Sequence, residues 1–367
     1  IAMTQLLEDY KPGSVLNDLA FAELSANPNQ FSPFAILSNK GEALLLRYKI
    51  SKKKEDIDLS IRTFEQGDKI IDNLRNNQPS LNSKLFWQNR TRNFYRLAIE
   101  ASHLANEPAS MLYFMEKSRA VLLNDKLNEI GSLAKLPAAE AEQEQQLRIA
   151  IASLEKQKEG LHNSDTAYLR ISSALLQAKE RLSAFIKNIE TKFPVYHQYK
   201  YNSKVPGISD IKEKLLPGGG SYLSYFEADS VVYALHITRN DVQLKKISFP
   251  GYADSVKVFL ELCRNRQKLN VHFDQYARLA QQLYQKLVEP LHIPKGKVIV
   301  SPDLNQIPFD ALVKDDAGKE YLLYDYIFDY TYSAGYLIRM LAGAAKNKAG
   351  FLGIAPEHFD KKFSLND

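Results

Sequence analysis

The chain is 367 residues long, 45% hydrophobic and 25% charged, with a formal net charge of +5. These values describe a soluble globular protein of two or three domains and exclude a disordered or strongly basic nucleic-acid-binding chain. The single cysteine, Cys263, excludes an intramolecular disulfide, gives no support for a cysteine-rich zinc site, and fits a reducing, cytoplasmic compartment.

No apolar stretch reaches bilayer length and no signal-peptide pattern opens the chain. It starts at Ile1 and stops at Asp367, soon after the strand-like run Phe351-Leu352-Gly353-Ile354, so a segment of a longer protein is expected.

Residues 1–130 read as helical. A helix over Phe34–Tyr48 presents Phe34, Leu37, Leu44, Leu45 and Tyr48. Lys52-Lys53-Lys54 after it reads as a solvated turn, not a nucleic-acid patch. A second helix, about Asp56–Leu74, gathers Leu59, Thr63, Phe64, Ile70 and Ile71, with small Ser60 one turn before Phe64. A third, roughly Leu81–Leu104, carries Leu85, Phe86, Phe94, Tyr95, Leu97 and Ala98, and Asn106-Glu107-Pro108 ends it. A fourth runs through Met111, Phe114, Met115, Ser118 and Leu122. Two helix–turn–helix units of this spacing resemble degenerate tetratricopeptide (TPR) repeats without their tryptophan and Leu-Gly signature; a generic antiparallel bundle is the other reading. No titratable groups converge there, so this part reads as a scaffold.

Residues 131–195 form a long helical hairpin, after Gly131 and Pro137 close off the repeats. Leu147, Ile151, Leu154 and Leu161 line its first helix, and Tyr168, Ile171, Leu175, Ala178, Leu182, Phe185 and Ile189 its second. That is a coiled-coil seam. Ser164 caps the second helix.

Residues 196–367 turn to sheet. Leu216-Pro217-Gly218-Gly219-Gly220 is a bare turn, since no Lys-Ser/Thr follows it as a phosphate loop requires. Strands at Ser221–Phe226, Val231–Thr238 and Val242–Ser248, joined by short polar turns, form an antiparallel meander. Helices follow at about Ala253–Leu269 and Phe273–Val288. Val298-Ile299-Val300 then reads as a strand buried on both faces, ended by Pro302. Pro308 holds Ile307 extended, and Asp310 caps a short turn through Ala311 and Leu312. Leu322–Tyr332 is extended and rich in tyrosine, Ser333 caps a helix to Leu341, and Gly350–Ile354 opens a further strand.

Five stretches, in order, resemble the CHAT family (caspase-like domain associated with TPR repeats). They are MLYFMEKSRAVLLNDKL at 111–127, the hairpin closing on Phe193-Pro194-Val195-Tyr196, SYLSYFEADSVVYALHIT at 221–238, KVIVSPDLNQIPFDAL at 297–312 and YLLYDYIFDYTYSAGYLI at 321–338. The family's glycine after Pro-Asp is replaced by Leu304-Asn305, where Asn305 can take the positive-φ position. The resemblance implies an α + α/β fold: TPR-like repeats and a long antiparallel hairpin, then an incomplete caspase-like α/β domain with an antiparallel β-meander. It also implies a Cys–His peptidase dyad lying after the last strand seen here. No catalytic, cofactor-binding or metal-ligating residue is therefore assigned, and no cofactor is expected. The expected function is the regulatory and scaffolding segment of a CHAT-type cysteine peptidase, itself inactive, with a protein partner on the repeats and neither nucleic acid nor membrane bound. The alternative is a non-enzymatic interaction module with a degenerate CHAT domain.

The remaining chemistry-bearing residues read as structural. Cys263 falls on the apolar face of its helix, and His272 and His292 form no known arrangement with it. His236 sits on a strand face with Ala234 and Thr238. Asp303 and Asp310 fit a turn and a cap, Asp325 and Asp329 share a strand face without specifying a metal, and the tyrosines of 321–336 read as packing residues.

Overall fold

The structure, a computed structural model, describes residues 31–76, 81–119, 136–159, 161, 166–193 and 205–344. Expectations placed on Leu122, Gly131, Ser164, Pro194–Tyr196 and the strand at 350–354 lie outside the described residues, as do the side chains of Leu85 and Phe86. Among the described residues, eleven α-helices and one mixed five-stranded sheet make an α + α/β architecture.

Helices α1 (Phe31–Ser51), α2 (Lys54–Asn76), α3 (Leu81–Ala105) and α4 (Pro108–Arg119) pack in succession. Most of the apolar residues expected on them are buried, from Phe34 and Leu37 to Met111, Phe114 and Met115, while Tyr48 is half-buried. Lys52, with φ at 57°, makes the tight turn between α1 and α2, and the three lysines there are exposed. Two glycines set how closely the helices approach. A Cβ on Gly41 would lie 2.7 Å from the Phe64 ring, and one on Gly67 would lie 2.7 Å from the Phe94 ring. Ser60, expected as the small packing residue, instead ties α2 to α1 by donating to the Gly41 carbonyl at 2.7 Å.

Helices α5 (Ala138–Glu159) and α6 (Thr166–Lys192) pack on each other. Their seam is narrower than expected. On α6 only Leu175, Leu182 and Ile189, seven residues apart, are fully buried, and Tyr168, Ile171, Ala178 and Phe185 are half-buried. The stretch after the hairpin, expected as extended pieces, holds a helix α7 (Ile208–Lys214). Asp210 accepts from the Gly207 amide at 3.0 Å and starts the turn, while Ile211, Leu215 and Leu216 bury it.

The sheet comprises β1 (Ser221–Ala228), β2 (Val231–Thr238), β3 (Val242–Ser248), β4 (Gly296–Ser301) and β5 (Tyr326–Tyr330), in the order β3-β2-β1-β4-β5. The first three form the expected antiparallel meander, with Ser221 opposite Thr238. β4 runs parallel to both β1 and β5, and Val298, Ile299 and Val300 are buried as expected. Gly219 and Gly220 have φ of 90° and 95°, and a Cβ on Gly220 would lie 2.6 Å from the Lys297 carbonyl, so the turn needs glycine to lay β1 beside β4.

Between β3 and β4 run α8 (Tyr252–Arg264), α9 (Arg266–Val271) and α10 (Phe273–Leu287). The single helix expected over Ala253–Leu269 is broken at Asn265, whose side chain accepts from the Lys268 amide at 3.0 Å and restarts it. The extended run expected at Leu322–Tyr332 is a 3₁₀ turn, Leu322–Tyr324, followed by the shorter β5, because buried Leu322 turns inward with its amide on the Leu312 carbonyl at 2.9 Å. Helix α11 (Ala334–Ala344) closes the described chain.

The two faces of the sheet are covered differently. Tyr222, Phe226, Tyr233, Leu235, Ile237 and Ile299 join one apolar cluster with α1–α4, α7 and α11. Leu223, Tyr225, Val232, Ala234, Val298 and Val300 join a second with α8, α10 and the segment around Phe309. The sheet is thus the middle of three layers. No helix of the described residues is long and apolar enough to cross a membrane.

Candidate functional site

The site lies where α3 and α4 meet the carboxyl ends of the parallel strands β1 and β4. α4 ends in Glu116-Lys117-Ser118-Arg119. At about 100° per residue, positions three apart share a helix face and adjacent ones diverge. Glu116 and Arg119 accordingly face the sheet, and Lys117 turns back into the helices.

Glu116 is buried and accepts from the amides of Ala334 and Gly335, each at 2.9 Å, and from the Tyr222 hydroxyl at 3.3 Å. Its carboxylate sits on the first N–H groups of α11, where the helix dipole favours an anion. Ser333 caps the same helix as expected, accepting from the Tyr336 amide at 3.1 Å. Arg119 donates through Nη1 to the Ser301 carbonyl at 2.9 Å and to its Oγ at 2.5 Å, and through Nη2 to the Tyr225 carbonyl. Ser301 Oγ donates onward to the Tyr332 carbonyl at 3.1 Å.

Titratable groups, expected not to converge in the helical part, do so here: Lys117, 5% exposed, lies 3.2 Å from Asp68 and also contacts Asp72, because the tertiary packing of α2 on α4 brings them together. Asp68 accepts from the hydroxyls of Tyr95 at 2.7 Å and Tyr113 at 2.5 Å. Burial raises the Asp68 carboxyl above its ordinary range, against the pull of Lys117.

A second cluster stands beside the first. Arg92 grips Asp303 with both Nη atoms, at 2.6 and 3.3 Å, donates to the Glu227 carbonyl at 2.6 Å, and lies over the Phe226 ring. Asp303 also accepts from the Glu227 amide at 2.8 Å. The Glu227 carboxylate accepts from the Asn305 amide at 3.0 Å and from its Nδ2 at 2.6 Å. Burial raises the Glu227 carboxyl above its ordinary range, against the bonds from Asn305 and with the Asp303 charge adding to the rise. Further along α3, Glu100 collects Lys49 of α1 at 2.9 Å, Lys246 of β3 at 3.6 Å and Arg96 at 3.7 Å. Burial opposes its ionisation, but these cations outweigh it and hold the carboxyl below its usual range.

A cavity of ≈ 320 Å³ opens between α3, the end of β1, the start of α8 and the turn after β4, with Arg96, Glu227, Asp229, Tyr252 and Asn305 on its walls. It carries both signs of charge and is lined by neither thiol nor imidazole.

Of the residues singled out from sequence, the structure brings Asp310 and Tyr330 together. Cys263 is half-buried, and burial pushes its thiol up to about 11, with Arg264 opposing, so it stays protonated near neutrality. His236 is buried with Nε2 2.9 Å from Ser221 Oγ, and burial lowers its pKa. His272 stands at the junction of α9 and α10, and His292 takes a left-handed position after the turn Glu289–Leu291.

Four expectations are corrected here. Asp310 does not cap its turn. It lies inside the 3₁₀ helix Phe309–Ala311, which starts from Pro308, and accepts from the Tyr330 hydroxyl at 2.7 Å. Asn305 is not among the residues of positive φ; its side chain and amide are spent on Glu227. Asp325 precedes β5 instead of sharing it with Asp329, and the two have separate partners: Asp325 pairs with Lys295 at 2.7 Å and with Lys314, Asp329 with Lys297 at 3.0 Å. Lys295 and Lys314 hold the Asp325 carboxyl below its usual range. The tyrosines of 321–336 are not mainly core, since Tyr324, Tyr330 and Tyr332 are 70%, 42% and 59% exposed on the last strand of the described sheet and its flanks.

Among the described residues, no group of three or more His, Cys, Asp or Glu is placed to hold a metal ion. The sequence reading assigned no role to Lys117, Arg92 or Glu227, and took Glu116 and Arg119 only as part of the resemblance at 111–127. The spacing of Glu116 and Arg119 on one helix face was a usable signal, but their partners lie more than a hundred residues away. Compared with known proteins, the chain matches no family model and no curated protein.

Proposed function

We propose that the chain is the regulatory and scaffolding segment of a CHAT-type cysteine peptidase. In this reading its TPR-like helices bind a protein partner, and its α/β part, the first half of a caspase-like domain, braces a catalytic half beyond this chain. The observation that carries the reading is the seam of buried charge fixing α3 and α4 to the carboxyl ends of β1 and β4, the edge where α/β sheets place their ligands. A second observation supports it. Ile327 and Tyr330 on β5, with Met340 and Leu341 on α11, expose large apolar side chains of the kind that another protein layer covers.

A non-enzymatic interaction module is the second reading, favoured by the protonated, half-buried state of the only thiol, Cys263. Incubation with caspase-type and separase-type peptides distinguishes the two. The chain alone should cleave none. A protein extended through the residues that follow should cleave, indifferently to Cys263→Ser and dependent on a later cysteine. Absence of any cleavage by the extended protein supports the module, and cleavage lost on Cys263→Ser overturns both readings.

A further inference from the structure

Three consecutive functions meet in one turn of α4. Lys117 is locked into the helical layer, Glu116 holds the start of α11, and Arg119 holds the ends of β1 and β4. A helical turn is stiff, so Lys117 cannot shift without carrying Glu116 and Arg119 along. Each end is also costly to leave. A buried lysine withdrawn from its carboxylates, or a buried carboxylate withdrawn from its amide donors, is left as an uncompensated charge, which favours a joint rearrangement over partial slippage.

The two ends differ in kind. Lys117 meets carboxylates, whereas among the described residues Arg119 meets only carbonyls and a hydroxyl, and its Nε is buried without a partner. The sheet end is therefore the easier to release. The far end of α4 begins at Pro108, two residues after Asn106, whose φ of 58° makes the turn from α3. Only two residues, Asn106 and Glu107, separate the helices, so α4 has a short pivot there.

We infer that α4 is a coupling strut: repacking of α2 against α4 at Asp68–Lys117 displaces the start of α11 and the ends of β1 and β4. This rests on the reading of the repeats as a regulatory surface, and it names the route by which a partner bound there reaches the sheet. A claim of coupling needs a variant at one end read out at the other.

Hydrogen exchange of the full chain supplies that readout without any peptidase activity. Lys117→Met, on the helical side, should speed exchange in the segment 331–338, which holds the amides that Glu116 accepts, by on the order of tenfold. Tyr113→Phe removes one donor from Asp68, serves as the milder variant where Lys117→Met fails to fold, and should move the same amides in the same direction by less. Exchange in 331–338 unchanged in Tyr113→Phe, and in Lys117→Met where it folds, while α2 and α4 loosen overturns the strut. That result leaves the peptidase reading intact, just as a failure of the extended protein to cleave leaves the strut intact.

Discussion

The two faces of the sheet are closed by different physics. α8 and α10 reach their face as the direct crossover from β3 to β4, and the contact is chiefly apolar, with Val256, Phe259, Leu283 and Leu287 packed on Leu223, Val298 and Val300. Several of its side-chain hydrogen bonds end on carbonyls, as from Tyr225 to Leu287 at 2.8 Å, and Tyr252 of α8 adds one to the Glu227 carboxylate. α3 and α4 reach the other face from more than a hundred residues earlier, and there apolar packing is joined by Arg92–Asp303, Arg119–Ser301 and Glu116–Ala334. Hydrophobic burial has no preferred direction, whereas charge-assisted hydrogen bonds do. A crossover between two strands of the same sheet is oriented by its own connections. Helices arriving from far along the chain need directional bonds to dock in one register.

That contrast can be broken first with a matched pair of truncations. Phe259→Ala on the apolar face should cost about 3–5 kcal/mol of global stability in urea denaturation. It should leave exchange at Ala334 and Gly335 tied to global unfolding. Glu116→Ala on the polar face should cost less, about 1.5–3 kcal/mol, while opening α11 locally. Equal local opening in the two variants would erase the distinction.

The helical layer has its own close-packed points, and Gly67→Ala probes one of them. The added methyl meets the Phe94 ring at 2.7 Å, so the variant should lose about 1–3 kcal/mol although alanine is the better helix former. Unchanged or raised stability would mean that the α2–α3 contact yields, and that the polar bonds alone set the docking.

The smallest effect expected is on pH dependence. Asp68 and Glu227 have folded-state carboxyls raised above their unfolded values. The stability that each contributes is complete below the unfolded value, about 3.9 and 4.3, and is lost as pH rises through the folded one. Glu227→Gln should therefore flatten part of the fall in urea midpoint as pH rises above the unfolded value of about 4.3. Glu100, held low by its three cations, works in the opposite sense, losing its contribution as pH falls. A slope unaltered by Glu227→Gln would place the dependence elsewhere.

Much of the fold was legible because its rules are local. The short polar turns gave the meander within two residues, and the unbroken Val298-Ile299-Val300 run marked a strand covered on both sides. Less was legible where a contact from a distant element overrode local pattern. Leu322–Tyr324 is extended by composition but turns because Leu322 pairs inward with Leu312. Asn265 looked helical and became a cap. Asp303 looked like a turn residue, and its turn position is real, but its carboxylate is committed to Arg92, 211 positions earlier.

The sequence by itself determined most of the elements and their apolar faces, because helix and strand periods are written in neighbouring residues and burial follows from them. It also put Glu116 and Arg119 on one side of α4 and Lys117 on the other. Only the tertiary structure decided what those three side chains hold. Asp68, Ser301 and Ala334 are brought to α4 by the packing of the helices and the sheet together, and no local period encodes a meeting between residues so far apart in the chain.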